Sequence, residues 1–264
     1  QDDGHAFIRR DQITGEITST LEIIEEIYAL FDFEVLYKLE TKGDNAVGSD
    51  EIWSEATDSL RESLESLGLE YDVESGEAAF YGPKIGLDAR DALGREWTIG
   101  TVQLDFNIPE RLDLTYVGED NSEHRPVMVH RALLGSFERF MGVMIEHFNG
   151  NFPTWLAPEQ VRILPVSDDN IGYAKQLKNR YLDDFRVEIE DRSWTVGKKI
   201  QTAHDDRVPY MLVIGDTEQE AGTVSVRDRF ENERKDVDVE TFRDHLADEI
   251  GQKRIEPDFI EESE

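Results

Sequence analysis

Two histidines and a serine–arginine pair are of residue types that could bind a metal ion or a phosphate. His5 and His130 lie far apart in the sequence, and each imidazole could be a metal ligand or a structural side chain. Because the chain has no cysteine, a zinc site built within it would draw on His, Asp or Glu. Ser136 and Arg139 are three residues apart, so on a helix they would share one face. A fixed guanidinium there suits a polyphosphate, whereas a mobile one would pair with Glu138 or extend into solvent.

A second candidate site surrounds the sequence Tyr-Gly-Pro-Lys at residues 81–84. Glycine followed by proline is an arrangement that ordinary strands avoid, so the backbone at Tyr81 is expected to be unusual. Lys84 is one of few lysines in the chain, and the same turn could direct it into a site or hold it on the surface.

The apolar periodicity predicts the elements that must position these residues in the first part of the chain. Repeats at helical spacing predict helices over residues 14–31, 49–67 and 130–148, the second with Ser49 as its N-cap. Alternation predicts strands over residues 33–39, 79–88 and 95–106. The last two strands are separated by a turn-like segment, DALG at residues 91–94, which favours antiparallel pairing.

After Pro153 the pattern changes to strands that alternate with helices. Short apolar strands are predicted at residues 161–166, 185–189 and 208–214, and this alternation is typical of parallel pairing. A further strand at residues 222–229 and a helix at residues 239–250 follow. We therefore predict two domains, residues 1–155 and 156–264, the first of the α+β class and the second of the α/β class with helices flanking its sheet.

The charge of the chain is strongly negative. It has 59 acidic and 28 basic residues, a formal net charge of -31, spread over both halves. Such a chain repels itself in dilute buffer, whereas molar salt shortens the screening length to about 3 Å. This composition indicates a protein adapted to high salt, although a merely acidic protein is the simpler alternative. We expect the free energy of unfolding to rise from low to multimolar KCl, and full stability without salt would contradict that expectation.

Several segments resemble the threonyl-tRNA synthetase family of class II aminoacyl-tRNA synthetases. In the first domain they are DDGHAF (residues 2–7), AFYGPK (79–84), GTVQLDF (100–106) and VMVHRA (127–132), and FPTWLAP (152–158) lies across the domain boundary. HRALLGSFERF (residues 130–140) is similar to the third signature motif of class II enzymes. The second domain is similar to the anticodon-binding domain through DRSWTVGKKI (191–200), RVPYMLVIGDTE (207–218) and GTVSVRDR (222–229). The resemblance implies a partial class II catalytic domain with an antiparallel sheet, followed by an anticodon-binding domain with a mixed sheet.

The resemblance also assigns roles to residues of the first domain. His5 and His130 match the two histidines that hold a zinc ion together with a cysteine, which would lie outside this chain. Asp3 would receive the ammonium of threonine, and Lys84 and Arg139 would act on ATP, whose γ-phosphate the arginine contacts. The threonine and ATP pocket implied by the family comprises Asp3, Tyr81, Lys84, Thr101, Gln103, Ser136 and Arg139. Thr98 departs from the glutamine that is usual in bacterial members.

In the second domain the resemblance assigns contacts with tRNA. Arg192, Glu218 and Arg227 match positions that meet anticodon bases, and Lys198 and Lys199 would contact phosphates. The alternative for the first three is ordinary surface charge. The two lysines could equally flank a helix N-terminus that has no ligand.

The implied function is ATP-dependent activation of L-threonine and its transfer to tRNA(Thr), with Mg²⁺ assisting the phosphate chemistry. The family pattern further implies a homodimer. No stretch approaches the ~20 apolar residues that cross a bilayer, so we expect a cytoplasmic protein that is not bound to membranes. We expect this chain to be a fragment, inactive alone, that lacks the first two signature motifs and any editing domain. The alternatives are a non-catalytic tRNA-binding paralogue and a prolyl or glycyl enzyme, and the two candidate zinc histidines disfavour the latter.

Overall fold

The computed structural model describes residues 1–91 and 93–260. Contacts divide the chain into two compact units, the first Gln1–His147 and the second beginning at Phe148. This division lies a few residues before the boundary that the sequence suggested, and the domain limits remain a prediction.

The first unit is a six-stranded sheet whose three longer helices pack on one face. Its strands lie in the order β1-β8-β5-β4-β2-β3, and every neighbouring pair is antiparallel except β2 and β3. The strands are β1 (Gly4–Ile8), β2 (Val35–Glu40), β3 (Tyr71–Glu74), β4 (Lys84–Arg90), β5 (Glu96–Asp105) and β8 (Val127–Ala132). Strands β6 (Tyr116–Val117) and β7 (Glu123–His124) form a separate hairpin. The helices are α1 (Ile13–Ala29), α2 (Asp50–Ser66), the short α3 (Asn107–Arg111) and α4 (Phe137–His147).

The period of two along the strands separates an apolar face from a polar face. Ile85 and Leu87 on β4 and Val102 and Leu104 on β5 are fully buried in one cluster with the apolar stripes of α1 and α2. Residues between them in sequence point to the opposite face, where the candidate site lies.

The sequence-based predictions for α1, α2, β2 and the antiparallel pair β4–β5 are confirmed. Ser49 is the N-cap of α2, where its hydroxyl accepts a hydrogen bond of 3.4 Å from the backbone N–H of Ile52. The predicted turn at residues 91–94 includes Ala92, which lies outside the described residues.

Two predictions for the first unit are wrong. The helix predicted over residues 130–148 begins only at Phe137, and His130 lies in strand β8, which pairs with β1 and β5. Between them, Gly135 has a φ of 63°, and a Cβ there would lie 2.7 Å from the carbonyl oxygen of Ile99, so the chain turns where no other residue fits. The strand predicted from residue 79 begins at Lys84, because residues 79–83 form a turn. Strands β1 and β3 were not predicted.

The second unit is a five-stranded mixed sheet in the order β10-β9-β11-β12-β13. Its strands are β9 (Val161–Pro165), β10 (Val187–Ile189), β11 (Tyr210–Ile214), β12 (Thr223–Asp228) and β13 (Glu233–Asp238). Its helices are α5 (Ile171–Tyr181), α6 (Val196–Asp205), α7 (Asp216–Ala221) and α8 (Val239–Gln252). The parallel pairing of β9 with β10 and β11 confirms the α/β prediction, while β13 was not predicted.

A buried tyrosine links β11 to α8 and to the segment that follows it. The hydroxyl of Tyr210 donates to Oε2 of Glu249 at 2.5 Å and accepts from the backbone N–H of Phe259 at 3.1 Å. Both Tyr210 and Glu249 are fully buried, and burial raises the pKa of the Glu249 carboxyl.

Replacing Tyr210 with phenylalanine removes both hydrogen bonds while leaving the ring in place. We expect the free energy of unfolding to fall by about 1–3 kcal/mol, because a buried carboxylate and a buried N–H lose their partner. Chemical denaturation in molar KCl measures the change. Tyr181→Phe is the matched control, since no hydrogen bond to a described residue involves the Tyr181 hydroxyl, and it should stay within about 0.5 kcal/mol. Equal stability of both variants would contradict the role of Tyr210.

Candidate functional site

The polar face of the first sheet carries a row of chemically active side chains across five strands. Residues directly opposite each other on paired strands point to the same face. The register places in one line His5 of β1, His130 of β8, Gln103 of β5, Lys84 of β4 and Glu40 of β2. Residues more than 120 positions apart in the sequence therefore become neighbours. The row brings together four of the residues that the sequence singled out.

At one end of the row, two imidazole rings converge. The ring centroids of His5 and His130 are 4.7 Å apart, with the rings nearly perpendicular. The ring of Tyr81 lies 5.1 Å from that of His130 on another side. His130 is therefore enclosed, whereas His5 is exposed.

Gln103 fixes the turn that contains Tyr81 to the sheet. Its Oε1 accepts a hydrogen bond of 2.9 Å from the Tyr81 hydroxyl, and its Nε2 donates to the Gly82 carbonyl at 3.1 Å. Burial raises the pKa of the Tyr81 hydroxyl, and the negative charges of Asp105 and Asp3 raise it further. The tyrosine thus stays protonated and can donate to Gln103. Asp3, itself exposed, lies close enough for its charge to act at this site.

A buried aspartate lies behind His130. Oδ2 of Asp105 is 3.1 Å from Nε2 of His130, and the Asp105 side chain is fully buried. Its Oδ1 accepts from the backbone N–H groups of Asn107 and Ile108 at 2.7 and 2.9 Å, at the start of α3. The motif GTVQLDF contains Asp105, but the sequence alone assigned this residue no role. The signal available was an acidic residue between two apolar ones, Leu104 and Phe106, at the end of β5.

Lys84 forms an ion pair with Glu40 in the same row. Its Nζ is 2.7 Å from Oε2 of Glu40, a carboxylate that is largely buried. Gly86 makes room for this pair, because a Cβ there would lie 2.9 Å from the other carboxylate oxygen of Glu40. Glu40 had not been identified from the sequence. An ammonium has three donors, so Lys84 keeps donors for a ligand while one serves Glu40.

Ser136 and Arg139 lie at the start of α4. The Ser136 hydroxyl accepts from the backbone N–H of Arg139 at 3.3 Å and donates to Glu138 at 3.1 Å, so it acts as a helix cap. The exposed Arg139 guanidinium donates to the Thr98 carbonyl at 3.1 Å and lies 5.9 Å from the ring of Trp97. The expected alternative, a pair with Glu138, is absent from the hydrogen bonds and ion pairs of the described residues.

The chain leading into α4 is held by Asp2, a residue that the sequence did not suggest. Its carboxylate accepts from the backbone N–H groups of Leu133, Leu134 and Gly135 at 2.8, 3.0 and 2.9 Å. Thr101 lies opposite Ala132 of β8, two residues from Gln103 along β5, and therefore faces the same side as the row.

The candidate tRNA contacts of the second unit are held by different partners. Arg192 forms an ion pair with Glu190, and its guanidinium carbon lies 3.8 Å from the ring centroid of Trp194. Glu218 accepts from the backbone N–H of Gly215 and from the Ser225 hydroxyl, both at 2.9 Å.

Arg227 lines a surface cavity of about 380 Å³, together with residues of α6 and β11, and its Nε lies 3.2 Å from Glu233. Lys198 is exposed beside Trp194, at 5.8 Å from its ring. The structure gives the two lysines different environments. Lys199 is buried, and its ammonium donates to the Pro165 carbonyl at 2.8 Å. A phosphate contact by Lys199 is inconsistent with this burial, because amphipathic helix α6 directs the side chain into the core.

The donor set at His5 and His130 suits zinc as two of its ligands. Imidazole nitrogen is a preferred zinc ligand, and a tetrahedral site needs at least one more protein donor. The one group of three possible metal ligands among the described residues lies elsewhere, at His245, Glu249 and Asp258. There, Arg254 binds both carboxylate oxygens of Asp258 at 2.9 and 3.1 Å, so the group forms an ion-pair cluster.

The two units match two different family models. Residues 1–148 match the tRNA synthetase class II core domain (G, H, P, S and T), and residues 160–249 match the anticodon binding domain. The chain therefore belongs to the class II aminoacyl-tRNA synthetases, and both fold predictions are confirmed.

Within that class, the sequence is similar to threonine--tRNA ligases. It is 72% identical to the threonine--tRNA ligase of Natronomonas pharaonis and 59% identical to that of Halobacterium salinarum. These matches cover 99% and 98% of this chain but only 41% and 40% of the relatives, so the chain spans about two fifths of their length. A solved structure described as the RNA binding domain of threonyl-tRNA synthetase from Cryptosporidium parvum has a TM-score of 0.88 at 34% identity, covering 94% of this chain and 63% of that one.

None of the helices in residues 1–91 and 93–260 combines the length and the apolar character that crossing a membrane requires.

Proposed function

We propose that this chain is part of a threonine--tRNA ligase and supplies one side of its active site together with its anticodon-binding domain. The observation that carries the proposal is the row across the first sheet, in which His5, His130, Gln103 and Lys84 converge from four strands. The relatives support threonine as the amino acid and tRNA as the acceptor.

The proposed reaction has two steps. The carboxylate of threonine attacks the α-phosphate of ATP, forming threonyl-adenylate and releasing pyrophosphate. A ribose hydroxyl of tRNA(Thr) then attacks the carbonyl carbon, giving threonyl-tRNA and AMP. Positioning and charge stabilisation account for catalysis of this kind, and Mg²⁺ would accompany ATP.

His5 and His130 would hold a zinc ion, with the remaining protein ligand outside this chain. When bound, the metal would ligate the amino and hydroxyl groups of threonine and so exclude valine, which lacks the hydroxyl. Asp3 would accept a hydrogen bond from the amino group of threonine. Tyr81 and Gln103, joined by their hydrogen bond, would form a wall of the threonine pocket, and Thr101 faces the same side.

Lys84 and Arg139 would provide positive charge for the phosphates. Glu40 keeps the Lys84 ammonium within the polar face, which suits a single-point contact with a phosphate oxygen. Arg139 is exposed, and its contact with the Thr98 carbonyl leaves donors of its guanidinium for the γ-phosphate. Ser136 would act mainly by capping the helix that presents Arg139.

In the second unit, Arg192, Glu218 and Arg227 would meet anticodon bases and Lys198 a phosphate. The ion pair with Glu190 and the contact with Trp194 order Arg192 before RNA arrives. We further propose that the whole protein is a homodimer, as the family pattern implies, and that it is cytoplasmic.

The test is threonine-dependent exchange of pyrophosphate into ATP by the protein as its gene encodes it, in molar KCl, with zinc measured on the same sample. Exchange with threonine but not with proline or glycine, and one zinc per subunit, would support the proposal. A folded protein that binds tRNA(Thr) without exchange would favour the non-catalytic alternative. The 264-residue chain alone is expected to show no exchange.

A further inference from the structure

We propose that Asp105 is the positioning residue that sets the tautomer of His130 and thereby presents the opposite ring nitrogen, Nδ1, to the metal. This inference rests on the proposed function only for the presence of the metal. The tautomer itself depends on contacts within this chain.

The geometry leaves Asp105 one role toward the ring. Its side chain is fully buried, and its Oδ2 lies 3.1 Å from Nε2 of His130. An ionised carboxylate is an acceptor only, so the hydrogen of a neutral imidazole must lie on Nε2. Nδ1 then carries the lone pair that a metal ion requires. A carboxylate behind a metal-ligating histidine is a recurrent arrangement that fixes both tautomer and ring orientation.

The carboxylate cannot easily turn away from the ring. Its other oxygen, Oδ1, accepts from the N–H groups of Asn107 and Ile108 at 2.7 and 2.9 Å. The strand register fixes the backbone position of His130, because the residue is paired with His5 on one neighbouring strand and with Gln103 on the other. The ring of Tyr81, 5.1 Å away, limits rotation of the imidazole.

Asparagine at this position separates the positioning role from a structural one. In Asp105→Asn the amide oxygen can still accept from the two N–H groups of α3, so the local fold keeps its cap. The amide nitrogen would face Nε2 as a donor, which favours the hydrogen on Nδ1 of His130. The substitution should thus invert the tautomer and block the nitrogen that faces the metal.

The experiment is a two-bond ¹⁵N–¹H correlation spectrum of the 264-residue chain in molar KCl, without metal and at a pH where His130 is neutral. His130→Ala assigns the signals of the ring. We expect the hydrogen on Nε2 in the wild type and on Nδ1 in Asp105→Asn. A wild-type ring with its hydrogen on Nδ1, or the same tautomer in both proteins, would overturn the proposal, and the wild-type result does not depend on the folding of Asp105→Asn.

Zinc affinity supplies the second measurement, made with Zn²⁺ and a competing chelator on the protein as its gene encodes it. Asp105→Asn should weaken zinc binding by about 10–100-fold, as loss of such a partner typically does. Asp120→Asn is the matched control, because Asp120 accepts from Nε2 of the exposed His124 at 2.9 Å, and it should change neither the His130 tautomer nor the affinity. Unchanged affinity in Asp105→Asn would overturn the link to the metal. Absence of zinc from the wild type would instead refute the metal site of the proposed function, while the tautomer spectra would still decide the role of Asp105.

Discussion

Replacing Gly82 with alanine is expected to destabilise the first unit by about 3 kcal/mol or more, at or above the upper end of the usual cost of overpacking. A Cβ at this position would lie 1.6 Å from the carbonyl oxygen and 2.8 Å from the carbonyl carbon of Leu104. Both are backbone atoms of the central strand β5, so no side-chain rotation can relieve the collision. Either the turn at residues 79–83 or the strand must move.

The same substitution should disturb the site. The Gly82 carbonyl accepts from Gln103, whose amide oxygen in turn accepts from Tyr81, so moving the turn breaks the link that orients both side chains. Denaturant unfolding in molar KCl measures the stability. Gly142→Ala is the matched control, because Gly142 lies within α4 and a Cβ there meets nothing within 4 Å.

In the control, alanine should raise stability by about 0.5–1 kcal/mol, since it favours a helix over glycine. Opposite signs for the two glycine-to-alanine changes are therefore expected. A Gly82→Ala variant as stable as the wild type would show that the turn can separate from β5 without loss.

The local sequence pattern predicted the elements that carry either one apolar face or an apolar run. Helix α2 has a regular apolar stripe and a capping serine, and both identify its limits to within a residue. Strand β11 is a continuous apolar run, as parallel strands buried on both faces usually are, and β9 departs from that pattern only at Arg162. These elements follow from local pattern alone.

The prediction failed where tertiary contacts decide the structure. Residues 130–148 contain enough apolar side chains for one long helix, yet β8 fills the gap between β1 and β5, and Asp2 holds the loop that follows. A contact between residues 2 and 133 leaves no trace in local periodicity. Strand β13, which is mostly exposed and charged, has no apolar alternation to detect.

In the candidate site, too, some features could be predicted from the sequence and others depend on tertiary contacts. Motif resemblance identified His5, His130, Gln103 and Lys84, while the register that aligns them could be obtained only from the sheet. Two of these residues have buried acidic partners. Glu40 lies in the row itself, and Asp105 lies on β5, two residues from Gln103. A buried carboxylate needs a cation or hydrogen-bond donors, so each marks the residue that it holds. The predicted phosphate contact of Lys199 is wrong, because the position of this residue in the motif does not reveal that α6 directs its side chain inward.

Replacing either site histidine with alanine is expected to abolish stoichiometric zinc binding by the protein as its gene encodes it. The rings of His5 and His130 are 4.7 Å apart at the end of the row, and each would supply one of the few protein ligands of the ion. Loss of a ligand should weaken binding by more than about 100-fold, the upper limit for loss of a mere supporting partner. Elemental analysis after dialysis, together with threonine-dependent pyrophosphate exchange, measures both consequences.

His124→Ala is the control for the loss of an imidazole, because His124 lies in the exposed hairpin and pairs with Asp120. It should retain zinc and exchange activity. Retention of one zinc by both His5→Ala and His130→Ala would place the metal elsewhere in the protein, and the convergence of the two rings would then be a packing contact. Loss of zinc from both variants with an unchanged unfolding transition would instead tie the metal to the register of β1 and β8, since that pairing alone brings the two histidines together.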